Sequence, residues 1–184
     1  MSRRRLVSCF LLLLCGFSLG AVTLEKLSLE EMIDSSTMIV RGTVGEATCT
    51  QAASLIRTEY RISVAETLKG SPGSQSIAVS LPGGVLGDTT QTFTGVPRLA
   101  PGEEYVFFLW RGPSGRIQLV GLSQGLLRVK SENGTPVASR APIDGTLLDR
   151  RSGRAVKDTG VGIRLPALRA TVTRQARAPK GNIQ

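Results

Sequence analysis

The chain of 184 residues contains no histidine, and this absence excludes several common catalytic arrangements. Without histidine there is no Ser–His or Cys–His nucleophile pair, and zinc sites that use imidazole ligands are excluded as well. Cysteine is also scarce: of three residues, Cys9 and Cys15 lie in an N-terminal segment that we expect to be removed, and the one that remains is too few for a thiolate-rich metal site. The remaining options for catalysis are carboxylates, lysine and tyrosine. We therefore predict a protein that is not an enzyme and that holds no cofactor and no metal.

Long apolar runs are scarce as well, and the one that is present lies at the N-terminus. Arg3-Arg4-Arg5 precede an apolar run over residues 6–17, and the small residues Ser18 and Gly20 follow it. A basic start, a short apolar core and small residues two apart are typical of a secretory signal peptide. The run is shorter than the roughly 18 residues that span a bilayer. We predict cleavage after Gly20 and export to the periplasm or the exterior, with an uncleaved anchor as the alternative.

Removal of residues 1–20 would leave Cys49 as the remaining cysteine, so no disulfide could form within the mature chain. A lone cysteine is most often a small, buried apolar residue. The alternative is a thiol that reacts or pairs between chains.

Positive charge is concentrated in the last quarter of the chain. Residues 21–139 carry ten Lys/Arg against eleven Asp/Glu, whereas residues 140–184 carry ten against three. We predict a basic C-terminal extension over 140–184, mobile over 140–160 and helical over 165–177. This extension could hold the protein on an anionic envelope surface, and the alternative is a solvated, partly disordered tail.

The periodicity of the mature chain predicts one short helix followed by strands. Ser28 and Glu31 form the pattern of a capping box at the helix start. After the helix, apolar residues alternate with polar ones, as in half-buried strands, except that 105–110 is apolar on both faces and predicts a central strand. The predicted strands are 38–44, 57–68, 77–81, 91–94, 105–110, 117–120 and 126–130. This spacing favours a mainly β fold, a small barrel or sandwich over residues 21–139.

Three segments of this pattern resemble the netrin-like module of netrins, complement proteins and tissue inhibitors of metalloproteinases. They are Met38–Val44, Tyr60–Gly70 with its Lys-Gly end, and Leu99–Leu109 with its Gly-Glu-Glu-Tyr start. The chain also resembles uncharacterised exported bacterial proteins that have the same segments. The resemblance implies an OB-type five-stranded barrel over about half of the chain. It carries over neither the N-terminal cysteine with which the inhibitors chelate zinc nor any other functional residue.

Glycine-bearing loops between the strands are the candidate binding sites. Pro82, Gly83 and Gly84 interrupt one strand, and Ser123 and Gln124 lie in a second loop. No helical pattern follows either loop, which argues against a phosphate-binding loop. Bulges or strand corners are the structural alternative, while loops at a barrel rim often hold ligands.

Two acidic motifs have weak catalytic interpretations. Asp158-Thr159-Gly160 spells the aspartic protease triplet, but a basic stretch precedes it and a turn is the simpler interpretation. Glu103 and Glu104 are neighbours whose side chains point to opposite faces of a strand. Acid–base catalysis would require Asp88, Glu103 and Asp158 to meet in one cleft.

Four aromatic residues, Phe93, Phe107, Phe108 and Trp110, could form a stacking platform for single-stranded nucleic acid. The surrounding run is so continuously apolar that we interpret it as core instead. We therefore predict no nucleic-acid partner.

Taken together, these patterns predict an exported, non-enzymatic binding module that engages a protein partner through barrel loops or the barrel rim. One alternative is a secreted peptidase inhibitor that inserts Pro82-Gly83-Gly84 or the Gly112 turn. A second alternative is a structural protein that its basic tail holds on the cell envelope.

Overall fold

The computed structural model describes residues 24–144 and 146–177. The predicted signal peptide over 1–20 and the end of the predicted extension over 178–184 lie outside the described residues. Among the described residues, no helix is long and apolar enough to span a membrane.

The fold is mainly β, with thirteen strands, two α-helices and one 3₁₀ turn in the described part. The strands are β1 (Leu24–Glu25), β2 (Met38–Ala52), β3 (Leu55–Lys69), β4 (Ser76–Pro82), β5 (Gly84–Leu86), β6 (Thr89–Gln91), β7 (Glu104–Arg111), β8 (Ile117–Leu119), β9 (Leu126–Glu132), β10 (Thr135–Arg140), β11 (Leu147–Leu148), β12 (Ala155–Val156) and β13 (Val161–Arg164); the helices are α1 (Leu29–Ser35) and α2 (Leu165–Arg177), and the 3₁₀ turn is Leu122–Gly125.

Helix α1 begins at the predicted capping box. The Ser28 Oγ accepts a bond from the Glu31 N–H at 3.1 Å, and the Glu31 carboxylate accepts the Ser28 N–H at 2.8 Å. These two bonds satisfy N–H groups that have no partner within the helix. Met32 and Ile33 are fully buried against the sheet.

Eight strands form the main sheet, in the order β13-β10-β9-β7-β2-β3-β4-β8. Strand β8 also pairs with β7, so the pairings of β7, β2, β3, β4 and β8 form a closed circuit. Most neighbours in this circuit are antiparallel, whereas β4 and β8 are parallel. Six of the seven predicted strands are confirmed, as β2, β3, β4, β7, β8 and β9. The strand predicted over 91–94 is wrong apart from Gln91, because β6 ends at that residue and 92–94 form no strand.

Strand β7 separates two hydrophobic cores. Phe107 belongs to the core within the closed circuit, where its ring meets that of Tyr105 edge to face at 5.8 Å. Phe108 belongs to the second core, which lies between the sheet and the two helices. Successive side chains of a strand point to opposite faces, so an apolar run over 105–109 contributes to both cores. The prediction that this run is a central strand is confirmed.

Part of the predicted extension packs on the sheet. Its proposed start at residue 140 falls at the end of β10, which pairs with β13. The helix predicted over 165–177 is confirmed as α2, and it buries Leu165, Leu168 and Val172 in the second core. Within 140–160, where the sequence predicts mobility, β11 pairs in parallel with β1 and antiparallel with β12. These three apolar residues of α2 lie on one face of the helix, and their burial explains why this basic segment packs on the sheet.

Candidate functional site

An open cleft of about 560 Å³ lies beside the inner faces of β2, β3 and β4. Its volume is within the range of about 300–1,000 Å³ that is usual for ligand sites. Ala47 and Cys49 of β2 and Thr58 and Tyr60 of β3 form one wall, and the chain from Thr90 to Leu99 forms another. The core residue Leu81 lies at its base, so the cleft opens from the inner core.

Pro82, Gly83 and Gly84, three of the predicted loop residues, line this cleft. Gly83 has a φ of +90° and Gly84 a φ of +143°, both favourable for glycine alone. A Cβ at Gly84 would lie 2.4 Å from the Thr58 Oγ1 and 2.9 Å from the Cys49 Sγ. Gly84 therefore lets the chain pass directly over β2 and β3. Gly83 is buried and lies in the wall of the cleft.

The backbone bends at Gly83 and Gly84, and a short chain of polar groups holds this kink in place. The Thr58 hydroxyl donates to the Gly83 carbonyl at 2.7 Å and lies 3.4 Å from the Cys49 Sγ. The Gly83 N–H donates to the Ile56 carbonyl at 2.7 Å. The kink is thus bonded to β3 from both sides of Gly83, and the Cys49 thiol lies beside it in the cleft.

The β5–β6 hairpin forms one side of the cleft and is tied to the start of β3 by Gln91. Its side-chain Oε1 accepts the Ile56 N–H at 2.8 Å, and its Nε2 donates to the Ser54 carbonyl at 2.6 Å. Because both ends of the amide are used, the hairpin is held at a fixed distance from β3.

Apolar side chains are exposed at the rim of the cleft. Val85 is 60 % exposed and Phe93 is 44 % exposed. Large apolar side chains that cluster at a concave surface are typical of contact sites. The ionisable residues that line the cleft are Cys49, Tyr60 and Arg98, and its lining includes no carboxylate.

The other two predicted loop residues, Ser123 and Gln124, do not line the cleft. The Ser123 N–H donates to the Gly95 carbonyl at 3.0 Å. Gln124 is 1 % exposed, accepts the Leu27 N–H at 2.8 Å and donates to the Glu25 carbonyl at 2.8 Å. The Gln124 amide therefore holds the segment before α1 against the sheet.

The candidate carboxylates do not meet in the cleft, since none of Asp88, Glu103 and Asp158 lines it. Glu103 accepts the Tyr105 hydroxyl at 2.5 Å and pairs with Arg128. Glu104 instead contacts Arg41, at 3.1 Å. Among residues 24–144 and 146–177, no three His, Cys, Asp or Glu side chains gather into a metal-binding group.

Asp158, in the protease-like triplet, is part of a buried ion pair with Arg140. Its carboxylate also accepts the N–H groups of Ile143 at 2.8 Å and Gly160 at 3.2 Å. The Arg140 hydrogen bonds are the largest cause that lowers the pKa of Asp158 to about 2. Every bond of this carboxylate is thus to its own chain, as a structural turn requires.

The four aromatic residues of the proposed stacking platform divide into two pairs. Phe107 and Phe108 are fully buried, as expected of core. The interpretation of Trp110 as core is wrong, because its side chain is 36 % exposed near the end of β7. Phe93 lies outside that apolar run, follows the β5–β6 hairpin and is also more than one-third exposed.

Three of the eight exposed basic residues in the described part of the predicted extension lie at the tip of the β11–β12 hairpin. Arg150, Arg151 and Arg154 are exposed there. Hydrogen bonds from the Ser152 hydroxyl and N–H to Asp149 shape the tip and lower the pKa of Asp149. Contact of this charge with an anionic surface stays a prediction.

No family model matches the chain, and no curated protein is significantly similar to it in sequence. Sequence reasoning missed Phe93, Gln91 and Arg98 as cleft residues. A signal for Phe93 was present, because it is an isolated aromatic residue among polar neighbours, Thr92 and Thr94, and so has no apolar face to join.

Proposed function

We propose that this protein is an exported, non-enzymatic binding module that engages a protein partner through the cleft and its rim. The observation that carries the proposal is the open cleft of about 560 Å³ with Val85 and Phe93 exposed at its edge. Exposed apolar side chains around a concave surface favour association, because contact removes them from water.

We also propose that the closed circuit of strands is an OB-like barrel of the netrin-like kind. The pairing order supports this proposal: β2, β3 and β4 form a meander, β7 returns to β2, and β8 joins β7 to β4. The parallel pairing of β4 with β8 closes the circuit. In barrels of this type, loops at the rim form the binding surface, and here the β5–β6 hairpin and Phe93 occupy such a position.

The kink at Gly83 and Gly84 supports a binding role for the cleft. Glycine adopts positive φ without steric cost but has a freer backbone than other residues, so bonds to neighbouring groups are needed to fix the kink in one conformation. Here the Thr58 hydroxyl and the Gln91 amide are used to hold the kink and the hairpin. A preformed wall loses little conformational entropy when a partner binds.

The test is to capture partners from an envelope extract and to compare two truncations of exposed aromatic residues. Phe93→Ala removes an aromatic ring from the rim, whereas Trp110→Ala removes one from outside the cleft. We expect Phe93→Ala to weaken binding of the captured partner at least tenfold, as is usual for an aromatic anchor.

Trp110→Ala is the matched control, and it should leave the affinity within about twofold. Thermal unfolding of both variants establishes that each is folded. Equal loss of binding in the two variants, or binding that Phe93→Ala leaves unchanged, would contradict the assignment of the cleft.

A further inference from the structure

Strand β2 has an open edge beside the cleft. Residues Met38–Thr43 pair with β7 on one side, and the ladder ends where Val44 bonds to Gly102 and Glu103. On the other side, β2 pairs with β3 from Ile39 to Ala52, with an irregularity between Val44 and Ala47. Among the described residues, no strand pairs with the outer edge of 45–52. An edge of this kind is a template for another extended chain.

The tight turn between β2 and β3 determines which backbone groups face that edge. Two residues, Ala53 and Ser54, connect the strands, and the flanking residues Ala52 and Leu55 are opposite each other. In a two-residue hairpin these flanking residues form a hydrogen-bonded pair, and bonded and non-bonded pairs alternate from there. The N–H and C=O groups of Ala47, Cys49 and Gln51 therefore point away from β3.

The same residues direct their side chains toward the cleft. Ala47 and Cys49 both line it, as expected of residues two apart on one strand. Residues directly opposite each other in a ladder share a face of the sheet. Alternate side chains of a strand added at this edge would therefore enter the cleft.

We propose that the partner binds as an extended polypeptide segment that adds a strand to the 45–52 edge of β2 and places alternate apolar side chains in the cleft. This inference rests on the proposed function and specifies its partner. Main-chain hydrogen bonds supply affinity in this mode of recognition, and pockets for alternate side chains supply specificity.

The charge of the cleft indicates one further property of the segment. Arg98 is exposed and lines the cleft, whose lining residues include neither Asp, Glu nor Lys. A carboxylate on the segment can therefore approach Arg98 without a competing acidic group. The segment that fits is extended, with apolar residues two apart and one acidic residue.

The test begins with selection of random dodecapeptides from a displayed library on the purified protein. The enriched peptide is then synthesised and titrated against the protein. Ala47→Pro removes a free N–H from the edge and no bond of the β2–β3 ladder, so an edge strand can tolerate it. We expect this variant to bind the peptide at least tenfold more weakly and Arg98→Gln several-fold more weakly.

Two controls make the result specific. Thr48→Ala changes a side chain on the opposite face and should leave the affinity unchanged. An added strand bonds to β2 through every second residue. N-methylation of the peptide amides that face β2 should therefore abolish binding, whereas N-methylation of the intervening amides should not. This second measurement does not depend on how Ala47→Pro folds.

Several results would overturn the inference. They are no enriched peptide, equal effects of the two methylation registers, or concentration-dependent self-association that Ala47→Pro removes, which would assign the edge to a second copy of the chain. If Phe93→Ala weakens partner binding while the edge variants do not, the proposed function stands and the strand addition fails.

Discussion

The two halves of strand β2 differ in burial and in the number of strands that pair with them. In the first half, Met38–Val44, five of seven residues are buried, and β3 and β7 pair with it on either side. In the second half, 45–52, no residue is buried and β3 alone pairs with it. One continuous strand therefore serves as core at one end and as an exposed edge at the other.

The composition of the two halves explains this difference. The first half contains Ile39, Val40 and Val44, whose branched side chains fill both cores. The second half, Gly-Glu-Ala-Thr-Cys-Thr-Gln-Ala, offers small and polar side chains that would stabilise a packed sheet poorly. The free energy of folding is thus concentrated where β2 has two neighbours, and the other half is left accessible to a partner.

The largest expected loss of stability comes from truncating a β7 side chain that lies opposite the first half of β2. Phe107 is fully buried and pairs with Val40, so Phe107→Ala should cost about 3–5 kcal/mol of unfolding free energy. Thr48→Ala, in the exposed half, should change it by less than about 0.5 kcal/mol. Urea denaturation with a common slope measures both values. Similar losses in the two variants would show that the halves are equally important for stability.

The buried half of β2 could be predicted from the sequence and the exposed half could not. A run of branched apolar residues over 38–44 indicates a strand by itself. Beyond Val44 the alternation is lost, because an irregularity in the β2–β3 register lies between Val44 and Ala47. Without that periodicity, nothing local distinguishes a strand edge from a loop, and the pairing with β3 is a property of the whole sheet.

The cleft, too, could be predicted from the sequence only in part. Glycine and proline marked Pro82, Gly83 and Gly84 as a break in a strand, and the break does line the cleft. The opposite wall, from Thr90 to Leu99, comes from a segment with few strand signals. The polar neighbours of Phe93 and the apolar neighbours of Phe107 do distinguish an exposed ring from a buried one. That Phe93 faces a cleft depends on how the strands pair across the sheet, and hydropathy alone does not encode this.

A smaller loss of stability is expected when the Arg140–Asp158 ion pair, which lies far from both halves of β2, is broken. Arg140 ends β10, which is three strand pairings away from β2. The pKa of Asp158 is lowered to about 2, so its contribution to stability is complete above pH 4, near its ordinary pKa, and is lost as the pH falls toward 2. That contribution is about 2 kcal/mol.

Asp158→Asn should therefore lower stability at pH 7 by about this amount and flatten its decline between pH 4 and 2. Urea denaturation across this pH range measures both effects. Peptide binding per folded molecule at pH 7 should be unchanged, because the ion pair does not line the cleft. An unaltered acid profile in Asp158→Asn would assign the decline to other carboxylates.

A smaller loss of stability than that of Asp158→Asn should come from Arg169→Gln, which tests how α2 holds the buried half of β2. Arg169 contacts both carboxylate oxygens of Glu66, at 2.5 and 2.8 Å, and the Arg41 Nε of β2 lies 3.2 Å from the same carboxylate. The hydrogen bond from Arg169 is the largest cause of the lowered pKa of Glu66. The pairs are half-exposed, so solvent limits the loss to below about 1 kcal/mol.

Because the pKa of Glu66 is lowered, the ionised carboxylate stabilises the folded protein at pH values above the ordinary pKa of glutamate. This contribution disappears as the pH falls below that value. The difference between wild type and Arg169→Gln should therefore be measurable at pH 7 and vanish in acid, and 1 M salt should reduce it. Arg174→Gln, on the same helix, removes the same charge and is the control. If both variants lose equal stability, the net charge of α2 matters, and the contact with Glu66 does not anchor the buried half of β2.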